Sequence, residues 1–183
     1  PVQDGYTALV WLTEHAREFG VDPRRIAVMG DSGGGGVAAG VAIAARDAGM
    51  TLAAQFLVYP MLDDRNTKSD PHISPFAIWT YDNNYTGWHA LLGEALGTDQ
   101  VSPLAAPARL RDFEGLAPAY IEVGDLEIFR DEAMAYALNL LSAGVPCELH
   151  VRAGSVHAFD RIAPMAAVTT ASWCDRSRVI TTV

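Results

Sequence analysis

The sequence predicts an α/β fold, a mostly parallel sheet with helices on both faces. Two observations carry that prediction. Four short apolar runs of strand length alternate with helix-compatible segments, and strands buried on both faces read as continuous apolar runs. The first of these runs leads into Gly30-Asp31-Ser32-Gly33-Gly34 and then into an Ala/Val stretch. A strand, a Gly-x-Ser-x-Gly turn and a helix in that order are the setting of a nucleophile elbow.

The elements follow in order. Residues 4 to 19 read as a helix: Asp4 is a candidate N-cap, Leu9, Leu12, Ala16 and Phe19 recur at helical spacing, and Gly20 stops it. Asp22-Pro23 turns the chain into a buried strand, Ile26 to Met29. After the elbow, residues 35 to 47 form an apolar helix that ends near Gly49, and Leu52 to Tyr59 is a second strand closed by Pro60. Residues 61 to 115, rich in Pro, Asp, Asn and aromatics, are a cap-like connection with short helices near 75–80 and 85–95. Ala119 to Val123 is the third strand, Asp131 to Ala143 a helix broken by Gly144-Val145-Pro146, and Cys147 to Val151 the fourth strand. Pro164 to Ile180 is the final helix.

Composition narrows the function classes. The 183 residues suffice for one domain, 1–183, with a sizeable core, and half of them are hydrophobic. A net charge of −9, with Lys68 the only lysine, argues against nucleic acid or an anionic membrane surface as partner. No apolar run reaches membrane-spanning length, and no basic-then-apolar leader opens the chain. Cys147 and Cys174 make no disulfide framework and fit a reduced, cytoplasmic protein. The Gly33–Gly36 run lacks the Lys-Ser/Thr of a phosphate loop. Asp63 and Asp64 have no His or carboxylate cluster at ligand spacing, so they read as structural, and no metal or cofactor is expected.

The chemistry centres on Ser32. Glycines on both sides allow a turn sharp enough to present its hydroxyl, and the Gly33 N–H that follows opens a helix and is free to face a developing oxyanion. A serine needs a base, usually a histidine oriented by a carboxylate. In a parallel sheet, groups past the carboxyl ends of strands converge. Ser32 follows the first strand, Asp125 and Glu127 the third, and His157 the fourth. Asp125 and Glu127 alternate in one loop, so proximity leaves both open as the acid. His15, His72, His89 and His150 read as surface or packing residues, and Arg130, Asp131 and Glu132 as a structural helix start. Gly-Asp-Ser-Gly-Gly also occurs in chymotrypsin-like proteases, but there the serine comes last, in an all-β double barrel.

Several segments in the same order resemble the bacterial hormone-sensitive-lipase-like carboxylesterases of the α/β-hydrolase superfamily. They are Asp22-Pro-Arg-Arg-Ile-Ala-Val-Met-Gly-Asp-Ser32-Gly-Gly, Leu57-Val-Tyr-Pro-Met-Leu-Asp-Asp64, Ala117-Pro-Ala-Tyr-Ile-Glu-Val-Gly124, Phe129-Arg-Asp-Glu132, and Ala143-Gly-Val-Pro-Cys-Glu-Leu-His150 running on to His157-Ala-Phe. The resemblance implies a serine esterase acting on short-chain carboxylic esters through Ser32, His157 and an acid. The family's acid falls three residues after the glycine and three before the arginine, which lands on Glu127, where the family usually has Asp. The family also usually has alanine at the place of Gly33. Its His-Gly-Gly-Gly oxyanion loop, first strands and cap helices lie upstream of the segment resembled here, a little over half of such an enzyme, so weak activity is expected of this chain.

The resemblance also makes Phe76, Trp79, Tyr81, Tyr85 and Trp88 candidates for an acyl pocket, with Trp79, Tyr85 and Trp88 foremost; packing of the connection onto the core explains them as well. The Ile26–Met29 strand would lack a neighbour on one side, and that apolar edge predicts self-association. Two rival readings are a catalytically impaired fragment and a receptor-like binding protein of the same fold.

Overall fold

The computed structural model describes residues 1–183. Four strands, β1 (Val28–Asp31), β2 (Gln55–Val58), β3 (Ala119–Gly124) and β4 (Cys147–Arg152), form one sheet in the order β1-β2-β3-β4, every pair parallel. Leu57, Ile121 and Val123 face α2 (Gly33–Asp47) and α4 (Arg130–Ser142), joining Ala38, Ala39, Ile43, Ala133, Tyr136 and Leu140 in the main core. Phe56 and Tyr120 face the other way, toward Val179 of α6 (Ala167–Thr181). Helices therefore cover both faces, as the apolar runs predict. The amphipathic α1 (Val2–His15) packs through Leu9 against Val41, Ala42 and Ala45 of α2. No helix is long and apolar enough to cross a membrane.

Several boundaries differ from the sequence reading. The N-cap of α1 is Pro1, so Asp4 lies in the first turn, where its charge favours the helix dipole without capping it. The first ladder runs two residues later than expected: Val28 pairs with Gln55, while Ile26 is buried between α1 and α2. β2 ends at Val58 because Tyr59 takes a positive φ of 37°. In the connection, Ser74–Phe76 is only a 3₁₀ turn, and α3 spans Tyr81–Leu92 with the Thr80 side chain accepting from the Asn83 N–H. A short α5 (Phe159–Ile162) precedes α6.

Buried polar side chains tie the layers together. Asp64 receives two bonds from Arg109, at 2.6 and 2.9 Å, and one from the Gly97 N–H at 2.8 Å, which folds the connection back on itself. Glu132 of α4 accepts the N–H groups of Leu62 and Asp63 and the Asn66 amide, although burial pushes its carboxyl up to about 8. Glu122, fully buried in β3, accepts from Arg176 at 2.6 Å, Ser172 at 2.7 Å, Tyr120 at 2.7 Å and Arg152 at 2.8 Å. Burial alone would raise its carboxyl, but those donors outweigh it and hold the group below the usual range. Arg176 also donates to Asp160 of α5 at 2.7 Å, so one guanidinium joins β3, α5 and α6.

Close backbone approach governs the turn after β1. Ser32 has φ 57° and ψ −123°, its N–H donates to Val58 O, and its carbonyl accepts from Gly35, Gly36 and Met61. A Cβ on Gly30 would lie 2.0 Å from the Gly34 carbonyl oxygen, and one on Gly36 would lie 2.2 Å from that of Met61.

Two stability predictions follow from these contacts. Arg176→Ala leaves Glu122 and Asp160 buried without their shared cation, which is expected to cost about 3–5 kcal/mol in urea denaturation; a loss under about 1 kcal/mol would mean that Arg152 on Glu122 and the Tyr59 hydroxyl on Asp160 suffice for the two carboxylates. Gly30→Ala forces the turn open and is expected to cost about 1–3 kcal/mol by the same measurement; an unchanged midpoint would show that the backbone relaxes freely.

Candidate active site

The expected convergence past the strand ends is present. The Ser32 Oγ stands 2.9 Å from His157 Nε2, and His157 Nδ1 is hydrogen-bonded to Glu127 Oε2. Glu127 is 1% exposed, and its other oxygen accepts the Gly124 N–H at 2.7 Å. Both carboxylate oxygens are thus fixed. With Nδ1–H donating to Glu127, Nε2 is left as an acceptor for the Ser32 hydroxyl.

Asp125 is turned to a different task. Its Oδ1 accepts the Ser155 N–H at 3.2 Å, bracing the loop that carries His157. That loop and the β3–α4 loop are also joined by the Leu126 N–H donating to Ser155 O at 3.0 Å. The His157 ring, 8% exposed as a residue, is met edge-on by Tyr59 at 4.8 Å and Phe129 at 5.2 Å between ring centroids. The Tyr59 hydroxyl donates to Asp160 at 3.0 Å; burial, with Asp160 beside it, pushes that hydroxyl's pKa up, so it stays a neutral donor. Ala158, directly after His157, has φ 57°. Two of the three positive-φ residues other than glycine are therefore Ser32 itself and the neighbour of His157, and such strain gathers where a site is over-determined by its surroundings.

Gly33 is the first residue of α2, so its N–H has no acceptor within the helix and sits at the positive end of the helix dipole. Beside Ser32 and Gly33 opens a largely apolar cavity of about 560 Å³, within the range of small-molecule sites. Trp79 and Trp88 line it. Tyr85 does not: it is 54% exposed and stacks on His89, one helical turn on, on a different side of α3. Residue types at 76–88 do not signal that: positions three apart stay close around a helix, and burial is what separates Trp88, packed against Val101 and Ala106, from Tyr85. Met61, Gly87, Leu91 and Leu104 also line the cavity and were not singled out by sequence reasoning. Their signal, apolar positions on one side of α3 and in its flanking loops, was too diffuse to separate from core.

Elsewhere, Glu148, His150 and Asp175 bring ligand atoms within 4.8 Å of one another. Arg178 already binds Glu148 and Arg152 binds Asp175 at 2.7 Å, so cations of the chain itself occupy the carboxylates.

Comparison with known proteins agrees with this architecture. The profile of a family described as having the alpha/beta hydrolase fold matches residues 1–161. Esterase LipI of Mycobacterium tuberculosis is 36% identical over 166 residues, covering 86% of this chain and 50% of LipI. Carboxylesterase NlhH of the same species is 34% identical over 176 residues, covering 92% and 55%. The solved structure of a bacterial heroin esterase superimposes with a TM-score of 0.92 at 41% identity, covering 98% of this chain and 58% of that one. The chain spans about half the length of the curated relatives it matches. From the elbow through to the loop after β4, this chain belongs to the α/β-hydrolase fold family, in its hormone-sensitive-lipase-like carboxylesterase branch.

Proposed function

We propose that the chain carries the catalytic triad of a serine carboxylesterase that hydrolyses short-chain carboxylic esters. The observation that supports this most is the continuous run of hydrogen bonds from Ser32 through His157 to Glu127. His157 takes the Ser32 proton as Oγ attacks the ester carbonyl, and Glu127 stabilises the imidazolium that forms. The Gly33 N–H faces the developing oxyanion. The tetrahedral intermediate collapses to an acyl-Ser32 ester, His157 protonates the leaving alcohol, and water repeats the sequence to release the acid and free Ser32. No redox or metal step is called for in this sequence.

The 183 residues contain no His-Gly-Gly-Gly, the loop that supplies most oxyanion donors in the family. Each such donor is worth about 2.7–4 kcal/mol of transition-state stabilisation, roughly 100- to 1,000-fold in rate. Residues 1–183 by themselves are therefore expected to turn over slowly, which favours the impaired-fragment reading of this segment in isolation. A receptor-like role is less well supported, since nucleophile, base and acid are all in hydrogen-bond reach. β1 pairs only with β2, and Met29 on it is half exposed; we further propose that this free edge lets two copies of the segment associate.

Three measurements check these points. Hydrolysis of a short-chain chromogenic ester is expected to fall to background in Ser32→Ala and by about 10⁴-fold, or to background, in Glu127→Gln. Asp125→Asn should retain most of the rate; the reverse pattern would make Asp125 the acid, and a signal surviving Ser32→Ala would remove the triad as its source. Turnover by residues 1–183 equal to that of a full-length relative would overturn the expected weakness. Sedimentation of a single monomeric species at high concentration would rule out edge pairing.

A further inference from the structure

Gly87 has no structural reason to be glycine. It lies in the interior of α3, where glycine is less favourable than alanine. Its φ is not positive. A Cβ there would meet Trp79 Cζ2 at 3.5 Å and Met61 Cε at 3.7 Å, which are ordinary contacts. Gly36, on the same cavity, is different, because the Met61 carbonyl excludes any side chain from it. What the missing side chain at position 87 leaves is a methyl-sized space in contact with Trp79 and Met61 on the cavity wall. Met61 is fixed next to the nucleophile, its N–H donating to the Ser32 carbonyl at 3.0 Å.

The cavity also has a direction. Ser32 and Gly33 line it, whereas His157, Glu127 and Phe129 do not. The leaving alcohol must face His157 to be protonated, so the part of the ester that enters this cavity is the acyl group.

We propose that Gly87 sets the acyl-length limit, its missing side chain leaving space beside Trp79 and Met61 for an unbranched apolar acyl group longer than acetyl. This rests on the esterase reading above. Each buried methylene adds binding energy that a short acyl group cannot recover, so a side chain at position 87 penalises hexanoyl far more than acetyl esters.

The test uses two readouts on residues 1–183. In turnover, Gly87→Leu is expected to lower the hexanoate-to-acetate ratio of kcat/KM for p-nitrophenyl esters at least tenfold, with Gly87→Ala intermediate. Ala90→Leu, at an exposed position on the same helix, should keep the wild-type ratio. In binding, ethyl hexanoate titrated calorimetrically into Ser32→Ala protein should bind at least tenfold more tightly than to the Ser32→Ala/Gly87→Leu double variant. The melting temperature of Gly87→Ala should equal or exceed that of the wild type; a fall would mean the glycine serves the fold and would overturn the proposal. So would an unchanged ratio, or a loss confined to a series lengthened on the alcohol side. Ser32-dependent turnover with no effect at Gly87 leaves the esterase reading standing and removes the pocket. A Gly87 effect on binding with no Ser32-dependent turnover does the opposite.

Discussion

The turn at Ser32 is the constraint on which the rest of the site depends. A φ of 57° with ψ −123° is a conformation that costs a non-glycine residue about 1–3 kcal/mol, and it persists only where its surroundings leave no alternative. Here the surroundings are backbone. The Ser32 N–H extends the β1–β2 ladder to Val58 O, and its carbonyl collects the N–H groups of Gly35, Gly36 and Met61. The start of α2 and the exit from β2 are therefore bonded to the same residue. Because Gly30 and Gly36 carry no Cβ, α2 can begin within contact distance of β1 and of the Met61 carbonyl. The small residues Ala38 and Ala39 then keep the helix close to Leu57 and Ile121.

His157 is held by a second, chemically different device. Tyr59 packs in a T-shaped contact with the His157 ring and bonds Asp160 with its hydroxyl, Asp160 is bound to Arg176, and Arg176 to Glu122. A buried ionic network of this kind is weak grounds for high stability, since desolvation offsets most of the attraction. Its geometric demand is strict, however. Every member has a fixed partner, and the loop between β4 and α5 has little freedom once Asp160 is pinned and Asp125 holds the Ser155 N–H. The positive φ of Ala158 lies between those two anchors.

The fold and the turn at Ser32 were legible because both leave local marks: continuous apolar runs for doubly covered strands, and Gly-x-Ser-x-Gly between a strand and a helix. Asp125 and Glu127 illustrate where residue types stop deciding. Both are carboxylates in one loop, and only position within a family pattern favoured Glu127; the structure separates them by what each oxygen accepts, the His157 ring or the Ser155 N–H. Tyr85 and Trp88 look alike as pocket residues because aromatic type does not tell which of two positions three apart on a helix is buried. Glu122, Asp160 and Arg176 were invisible for a deeper reason. They lie 16 to 54 positions apart, and nothing in a charged residue's neighbours announces that it is buried and paired. The early end of β2 likewise follows from the positive φ of Tyr59, which no apolar pattern foretells.

The sheet register explains why these pieces meet at one point. Gly30, Leu57, Ile121 and Leu149 lie in one row across the four strands, and the next row is Asp31, Val58, Glu122 and His150. The β1 and β2 ladders stop there, while β3 and β4 run on to Gly124 and Arg152. Ser32 therefore stands one residue past the row, in a notch beside two longer strands whose loops overhang it. Those overhanging loops deliver Glu127 and His157, and they are bonded to each other through Leu126 and Ser155. Alignment of the three side chains thus draws on β1 through β4 and their connections. Stabilising an oxyanion is a separate matter. On the proposed mechanism, the helix start at Gly33 offers it one N–H and the helix dipole. On that mechanism, placing the nucleophile rests on the strand register and stabilising the oxyanion on the helix start, two separate demands that meet in one turn.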